Sequence, residues 1–435
     1  MSIFPTGWQV EPLSEVCDEI VDCLNKTATV VDGPTPYKMI RTTNVKDGRV
    51  NLEETRFVDE VVYRKWTRRF KPRRGDVILT REAPLGEVGL LRSDEHVFLG
   101  QRTMAYRTNP KRLDQRFLYY SLLGPTLQAQ IRMYGAGSTV EHMRVPQAES
   151  LQIPFPDLAS QQKIAAILAA YDDLIANNQR RITLLERMAE DIYREWFVRL
   201  RFPGHKQVKI EKGVPQGWDF DSALKFFGHA KGKSYGGDEL TTNPQHMPFI
   251  TLKSFNRGGG YRADGLKYYS GRFKPEQIVN CGDVVMAVTD MTQNREVVGR
   301  VARVPAIGDR GAVISLDVIK LTPKTISASF LYSYMRLSGF GGYIKEFANG
   351  TNVLHLKPDL VTQQKILMPA TGLQTRFTRL ANPIYSQIDA LNLTIAKLES
   401  TRDALLPRLI SGKLAVDGLA IRFPPGMASS LDKNQ

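Results

Sequence analysis

The sequence predicts an α+β fold, a tandem repeat of two mixed β-rich domains separated by two long α-helices that form an antiparallel coiled coil. Three observations carry this expectation. An apolar rhythm of 3-4-3-4 spacing runs through Ile175, Asn178, Ile182, Leu185, Ala189, Ile192 and Trp196, as in the seam of a helix packed on another helix. The same rhythm returns 213 residues later, from 175 to 388 and from 196 to 409, through Ile388, Leu391, Ile395, Leu398, Arg402, Leu405 and Leu409. Short strand-type motifs recur at nearly the same offset. Two unrelated amphipathic helices would have no reason to share a register; a duplication explains it.

The first domain spans residues 1–157 and opens on Phe4-Pro-Thr-Gly-Trp8, matched by Val214-Pro-Gln-Gly-Trp218 at the start of the third segment. Each Pro-x-Gly-Trp reads as a tight turn that delivers an aromatic anchor to a core. Tyr37-Lys-Met-Ile-Arg41 and Pro248-Phe-Ile-Thr-Leu-Lys253 alternate as half-buried strands do. Arg74-Gly-Asp-Val-Ile-Leu79 corresponds to Cys281-Gly-Asp-Val-Val-Met286, a Gly-Asp turn that launches a buried strand. Further on, Phe117-Leu-Tyr-Tyr120 is matched by Phe330-Leu-Tyr-Ser333 on a short helix. Gly137-Ser-Thr-Val140 is matched by Gly350-Thr-Asn-Val353, and His142 by His355, which points to a shared structural role for the two histidines. Pro154-Phe-Pro156 and Pro369 break the chain before the long helices, placed at 158–203 and 371–415. The second β-rich domain is then 204–370, and residues 416–435 are expected to form a flexible tail. Pro383 should mark either the first turn of the second helix or a kink in it.

Composition narrows the partner. A hydrophobic content of 42% and a charged content of 24% are those of a folded protein. The formal charge of +14 and a pI near 9.6 point towards a polyanion, nucleic acid above all. Cys17, Cys23 and Cys281 are too few for a disulfide scaffold and suit a reducing, cytoplasmic setting. No apolar run reaches membrane-spanning length, and the opening residues resemble neither a signal nor a transit peptide. No metal-ligand spacing is present.

The motifs on the helices carry a family resemblance. Tyr193-Arg-Glu-Trp-Phe-Val198 with Arg201-Phe-Pro-Gly-His205 resembles the central conserved region of type I restriction–modification specificity subunits. Arg402-Asp-Ala-Leu-Leu-Pro-Arg-Leu-Ile-Ser-Gly-Lys-Leu414 resembles their distal conserved region. The Gly-Asp-Val turns and Gly-Ser/Thr-x-Val stretches look like that family's target-recognition domains, and the likeness runs from Gly7 to about Asp417. It implies a non-catalytic subunit that binds double-stranded DNA, each domain reading one half of an asymmetric bipartite site. The paired helices would set the spacer and dock two modification subunits. S-adenosylmethionine would then sit on those methyltransferase partners. ATP and Mg would sit on two restriction (motor-nuclease) subunits where the system has them, and this chain would hold no cofactor. The alternatives are a specificity subunit of a methyltransferase-only system and a self-contained DNA methyltransferase.

A reading subunit needs cationic loops. Arg64, Lys65, Arg68, Arg69, Lys71, Arg73 and Arg74 cluster between Arg56 and Arg81, against Asp59, Glu60 and Asp76, with Trp66 and Phe70 interleaved. Such a loop suits phosphate, and arginine can also grip guanine edges. Arg81 follows the buried strand Val77-Ile-Leu-Thr80 as Asp290 follows Val285-Met-Ala-Val-Thr289; it could read a base, contact phosphate, or pair with Glu82 or Glu87. In the second domain the candidates are Lys231, Lys233, Lys253, Arg257, Lys267, Arg272 and Arg295, among Tyr261, Tyr268 and Tyr269. Gly258-Gly-Gly260 is either a phosphate cradle or a hairpin tip. Enzymatic motifs fail on context. Asn382-Pro-Ile-Tyr385 imitates an adenine-methyltransferase motif but lies in a helical repeat, and no Phe-x-Gly-x-Gly loop accompanies it. Gly228-His-Ala-Lys-Gly-Lys-Ser234 is one residue short of a P-loop.

Overall fold

The Gly-Asp turn forms the same corner twice in the computed structural model, which describes residues 4–135 and 141–424. Gly75 and Gly282 take φ of +95° and +89°, a region open to glycine without strain. Behind each, the aspartate carboxylate accepts a backbone N–H from three residues upstream, Arg73 N to Asp76 and Asn280 N to Asp283, both at 2.8 Å. Gly75 N donates to Leu91 O and Leu91 N to Asp76 O; Gly282 N donates to Val304 O and Val304 N to Asp283 O. A cation from the next strand neutralises each acid: Arg107 Nη2 lies 2.8 Å from Asp76, and Lys320 Nζ 2.7 Å from Asp283. From these corners rise the buried strands Val77–Arg81 and Val284–Ala287.

The chain divides into two compact units, Met1–Ile175 with Lys397–Gln435, and Ala176–Ala396. The boundaries therefore fall inside both long helices, not at their ends as a division at 157 and 370 would have them. In the first unit Val77–Arg81 lies between Thr103–Thr108 and Leu85–Leu90 in a six-stranded sheet. A three-stranded sheet of Arg56–Val58, Tyr37–Ile40 and His96–Leu99 accompanies it. Its core gathers Val77, Leu79, Tyr106, Phe117 and Tyr120 with Ile164 and Leu168 of one long helix and Leu409 and Ile410 beside the end of the other. In the second unit Val284–Ala287 lies between Val318–Pro323 and Val301–Arg303 in a four-stranded sheet, next to a five-stranded one. There Phe330, Val284 and Trp218 pack with Tyr193, Phe197, Phe377 and Ile384 from the long helices.

Most predicted elements form, and their local chemistry says why. Gly7 and Gly217 have φ of +88° and +84°, and Trp8 N and Trp218 N donate to the carbonyls of Pro5 and Pro215. Trp218 is buried against Phe197 and Phe202; Trp8 is half-buried beside Phe117. Helices Gln115–Leu123 and Ala328–Leu337 start under side-chain caps from Asp114 and Ser327. The strand predicted over 248–253 stops at Ile250, because Thr251 caps a 3-10 turn over Leu252–Ser254. Gly137–Val140 lies outside the described residues. In its counterpart, a Cβ on Gly350 would meet the Val353 carbonyl at 1.9 Å, so that turn requires glycine.

The long helices run from Leu158 to Tyr193 and from Thr371 to Leu409, the first widening into a π turn over Arg194–Val198. Of the seam residues, Ile175, Asn178, Ala189, Ile388, Leu391, Ile395 and Leu409 are buried. Ile182, Leu185, Ile192, Trp196, Leu398, Arg402 and Leu405 are half-buried. At the end of the first helix the fully packed positions are Tyr193 and Phe197, one residue beyond the predicted Ile192 and Trp196. A helix of 3.6 residues per turn drifts past a 3.5-residue repeat, and the π turn adds to the drift. Pro383 lies well inside the second helix, not in its first turn. The segment from 416, expected to be a flexible tail, starts packed: Val416 is buried, and Ile421 and Phe423 rest on the first unit's core.

Candidate nucleic-acid interface

The strand ends set the register of the site. Met143 N donates to Arg81 O at 3.0 Å, and Leu356 N to Val288 O at 2.8 Å. His142 bridges to Glu82, and His355 pairs with Thr289. Arg81 therefore corresponds to Val288 and Glu82 to Thr289, which makes Ala83, not Arg81, the counterpart of Asp290. The histidines do share a structural place, each on the segment that crosses the strand end.

In the first unit this corner is closed by ion pairs. Arg81 is 13% exposed in its side chain; its Nη2 lies 3.5 Å from Asp22 and its Nη1 donates to Met143 O at 3.4 Å. Its partner is thus Asp22, not Glu82 or Glu87. Glu82 faces Arg102 at 3.3 Å and His142 Nδ1 at 3.3 Å, the latter without hydrogen-bond geometry. In the second unit the buried Asp290 carboxylate accepts from Thr292 N, Thr292 Oγ1, Val297 N and Val298 N at 2.7–3.1 Å. Burial alone would raise its pKa, but those hydrogen bonds outweigh it and hold the carboxyl below the usual range.

The cationic stretch of the first unit sorts by partner. Helix Glu60–Trp66 carries Arg64, paired with Glu60 at 2.7 Å, and Lys65, 5.5 Å from the Trp66 ring centre. Arg69 lies 3.2 Å from Asp22, and Arg74 lies 2.9 Å from Asp94. Arg68, Lys71 and Arg73 are exposed, with no carboxylate partner among the described residues. The interleaved aromatics turn inward. Phe70 is buried under the Arg107 guanidinium, and Trp66 packs edge-on to Phe98.

The second unit spreads its cations. Lys231, Lys253 and Arg272 are exposed, and Lys233 and Lys267 are half-buried. Arg257 pairs with Glu296 at 3.1 Å and Arg295 with Glu346. Tyr269 is buried, stacked on Phe249; Tyr261 and Tyr268 are half-buried. The glycine run is a hairpin tip: Gly259 N and Gly260 N already donate to Asn256 O and Val301 O.

The enzymatic look-alikes dissolve. Asn382–Tyr385 is helical, with Tyr385 buried against Ser333 at 3.1 Å, and Gly228–Lys231 belongs to a strand. Among the described residues no His, Cys, Asp or Glu group could hold a metal ion, and no helix is long and apolar enough to cross a membrane. Sequence reasoning missed Asp172, a buried acid on the first long helix. It accepts from Tyr120 OH at 2.8 Å, Arg92 Nη2 at 3.2 Å and the seam residue Arg402 at 2.9 Å.

A family profile described as the type I restriction modification DNA specificity domain matches residues 5–187. The type I restriction enzyme MjaIX specificity subunit of Methanocaldococcus jannaschii is 24% identical over 355 residues, covering 80% of this chain and 79% of that one. Over those matches the chain is similar to type I restriction–modification specificity subunits. The MjaVIII specificity subunit of the same organism is 22% identical to this chain, covering 74% of it and 77% of the relative. The crystal structure of the type I restriction–modification S subunit from M. genitalium shares its fold, with a TM-score of 0.56 at 17% identity, covering 92% of this chain and 96% of that one.

Proposed function

We propose that this chain is a type I restriction–modification specificity subunit that reads DNA with both units, each taking one half of a bipartite asymmetric site, and that it performs no chemistry itself. The long helices pair antiparallel, set the spacer, and dock two modification subunits that carry S-adenosylmethionine and methylate adenine in the cytoplasm. Two restriction subunits with ATP and Mg join where the system has them. The repeated Gly-Asp corner carries the two-reader reading: two copies of one scaffold, hydrogen-bonded alike, end in different surface loops. An antiparallel direction is supported within the first unit, where Ser160 meets Asp417 and Asp172, further along, meets Arg402. Of the candidate cations, Arg68, Lys71 and Arg73 in the first unit and Lys231, Lys253 and Arg272 in the second are exposed without a carboxylate partner among the described residues, and these would take phosphates.

Exchanging residues 1–157 for a homologous first domain should change one half of the methylated motif. A change in both halves would end the two-reader reading. Inserting one heptad near Asn178 adds about 10 Å of helix and should lengthen the unread spacer by up to roughly three base pairs.

A further inference from the structure

The loop from Asp290 to Val298 is wound around one buried carboxylate and tied down from outside. Besides the four hydrogen bonds to Asp290, Gln293 Nε2 donates to Thr351 O at 2.7 Å. Arg295 pairs with Glu346 while holding φ at +52°, and Glu296 pairs with Arg257. Two side chains are left out of this bracing. Met291 is 69% exposed, and Asn294 is exposed with no hydrogen bond to another described residue. Of the two amides on the loop, one fixes the backbone and the other is presented on it.

We infer that Asn294 and Met291 read an A·T pair in the half-site taken by the second unit, an assignment that rests on the two-reader function proposed above. A carboxamide matches the N6 donor and N7 acceptor of adenine in a bidentate way, and an apolar side chain suits the thymine methyl. A rigid loop favours such a role, because the amide need not be ordered on binding. The first unit has no counterpart: Ala83 stands where Asp290 does, and Glu82 is consumed by Arg102 and His142.

The test uses the assembled methyltransferase complex, with the methylated motif and competition among DNA duplexes as readouts. Asn294→Ala should lose roughly 5- to 150-fold of discrimination at one A·T pair and leave the other half-site intact. Asn294→Asp, of the same size, should move preference at that pair from adenine towards cytosine, whose N4 donates to a carboxylate. Replacing thymine by uracil there should weaken the wild type and leave Met291→Ala indifferent. An unchanged motif in both Asn294 variants, or uniform weakening on every sequence, overturns the inference. Exchange of residues 204–370 separates the two failures. If it alters one half-site while the Asn294 variants do not, only this assignment falls; if it alters neither, the two-reader function falls too.

Discussion

The two strand-end corners share a backbone and differ in nearly everything attached to it. In the first unit Arg81 and Arg69 both face Asp22, and Glu82 faces Arg102 and His142, so both carboxylates are taken up by cations at the corner. In the second, one acid, Asp290, satisfies a longer loop and leaves its tip free to present side chains. The helix face shows the same division of chemistry. Tyr120 donates to Asp172 in the first unit; at the same repeat positions the second has Ser333 and Tyr385. Backbone hydrogen bonds fix the turn, because a buried unpaired peptide group is costly. Side chains beyond the turn are under no such constraint, so one backbone corner can carry two different sets of surface groups.

The largest effect should come from breaking the helix-face contrast. Asp172 is 8% exposed, and it takes Tyr120, Arg92 and Arg402 at once. Burial and the neighbouring carboxylate push the Tyr120 hydroxyl far above its usual range, so it stays a donor. Asp172→Asn should cost about 3 kcal/mol, the low end for a broken buried ion pair because Arg92 is 42% exposed. Tyr385→Phe, which removes one neutral hydrogen bond, should cost about 1 kcal/mol. Denaturant midpoints of the two variants decide it; equal losses would mean that the acid adds nothing over its neutral counterpart.

How far this was readable in the chain depends on how local the cause is. The Gly-Asp turns and the Pro-x-Gly-Trp anchors are set by neighbours a few residues apart, so spacing alone reveals them. Asp172 is invisible for the opposite reason: its partner Arg402 lies 230 residues away, and Asp172 alone looks like another helix-surface acid. Gln161 and Gln374 escaped notice too, although each is buried and donates to the carbonyl five residues before it, Pro156 and Pro369, at the start of a long helix. The pairing of Arg81 with Asp290 as equivalents came from ending each strand at its first polar residue. Cross-strand hydrogen bonds count differently, and they put Val288 opposite Arg81. The cationic stretch was legible as charge but not as geometry, since proximity to Asp22, Glu60 and Asp94 decides which guanidinium is free.

A smaller effect should separate the corners by pH. Asp290 has a lowered folded pKa, so its contribution is complete above the ordinary carboxylate range and is lost as pH falls through the lowered value. Ala83 gives the first corner no such group. Asp290→Asn should destabilise the second unit by about 1–3 kcal/mol near pH 7, since Val297 and Val298 lose a charged acceptor. The gap from wild type should begin to shrink once pH falls below the ordinary carboxylate range of about 4, where the unfolded carboxylate takes a proton, and should go on shrinking until the native one does so at its lowered value. Melting curves at pH 7 and pH 3 test this. A gap that is constant with pH would show that charge is not what organises the loop.

The smallest effect asks whether the two units hold DNA with equal dependence on salt. Arg68 is exposed without a carboxylate partner among the described residues, whereas Arg69, 60% exposed, lies 3.2 Å from Asp22. A phosphate contact made by Arg68 releases a condensed counterion, so Arg68→Ala should flatten the slope of log affinity against log salt by about 0.9. Arg69 must first give up a surface ion pair worth at most about 1 kcal/mol, so Arg69→Ala should change the slope less. Neither variant should alter the methylated motif, because phosphate contacts carry register and not sequence. Lys253→Ala supplies the comparison from the second unit, whose exposed cations are spread along the chain. A full slope change for Lys253 with none for Arg68 would move the electrostatic grip to the second unit and leave the dense cationic stretch of the first as a solvated surface.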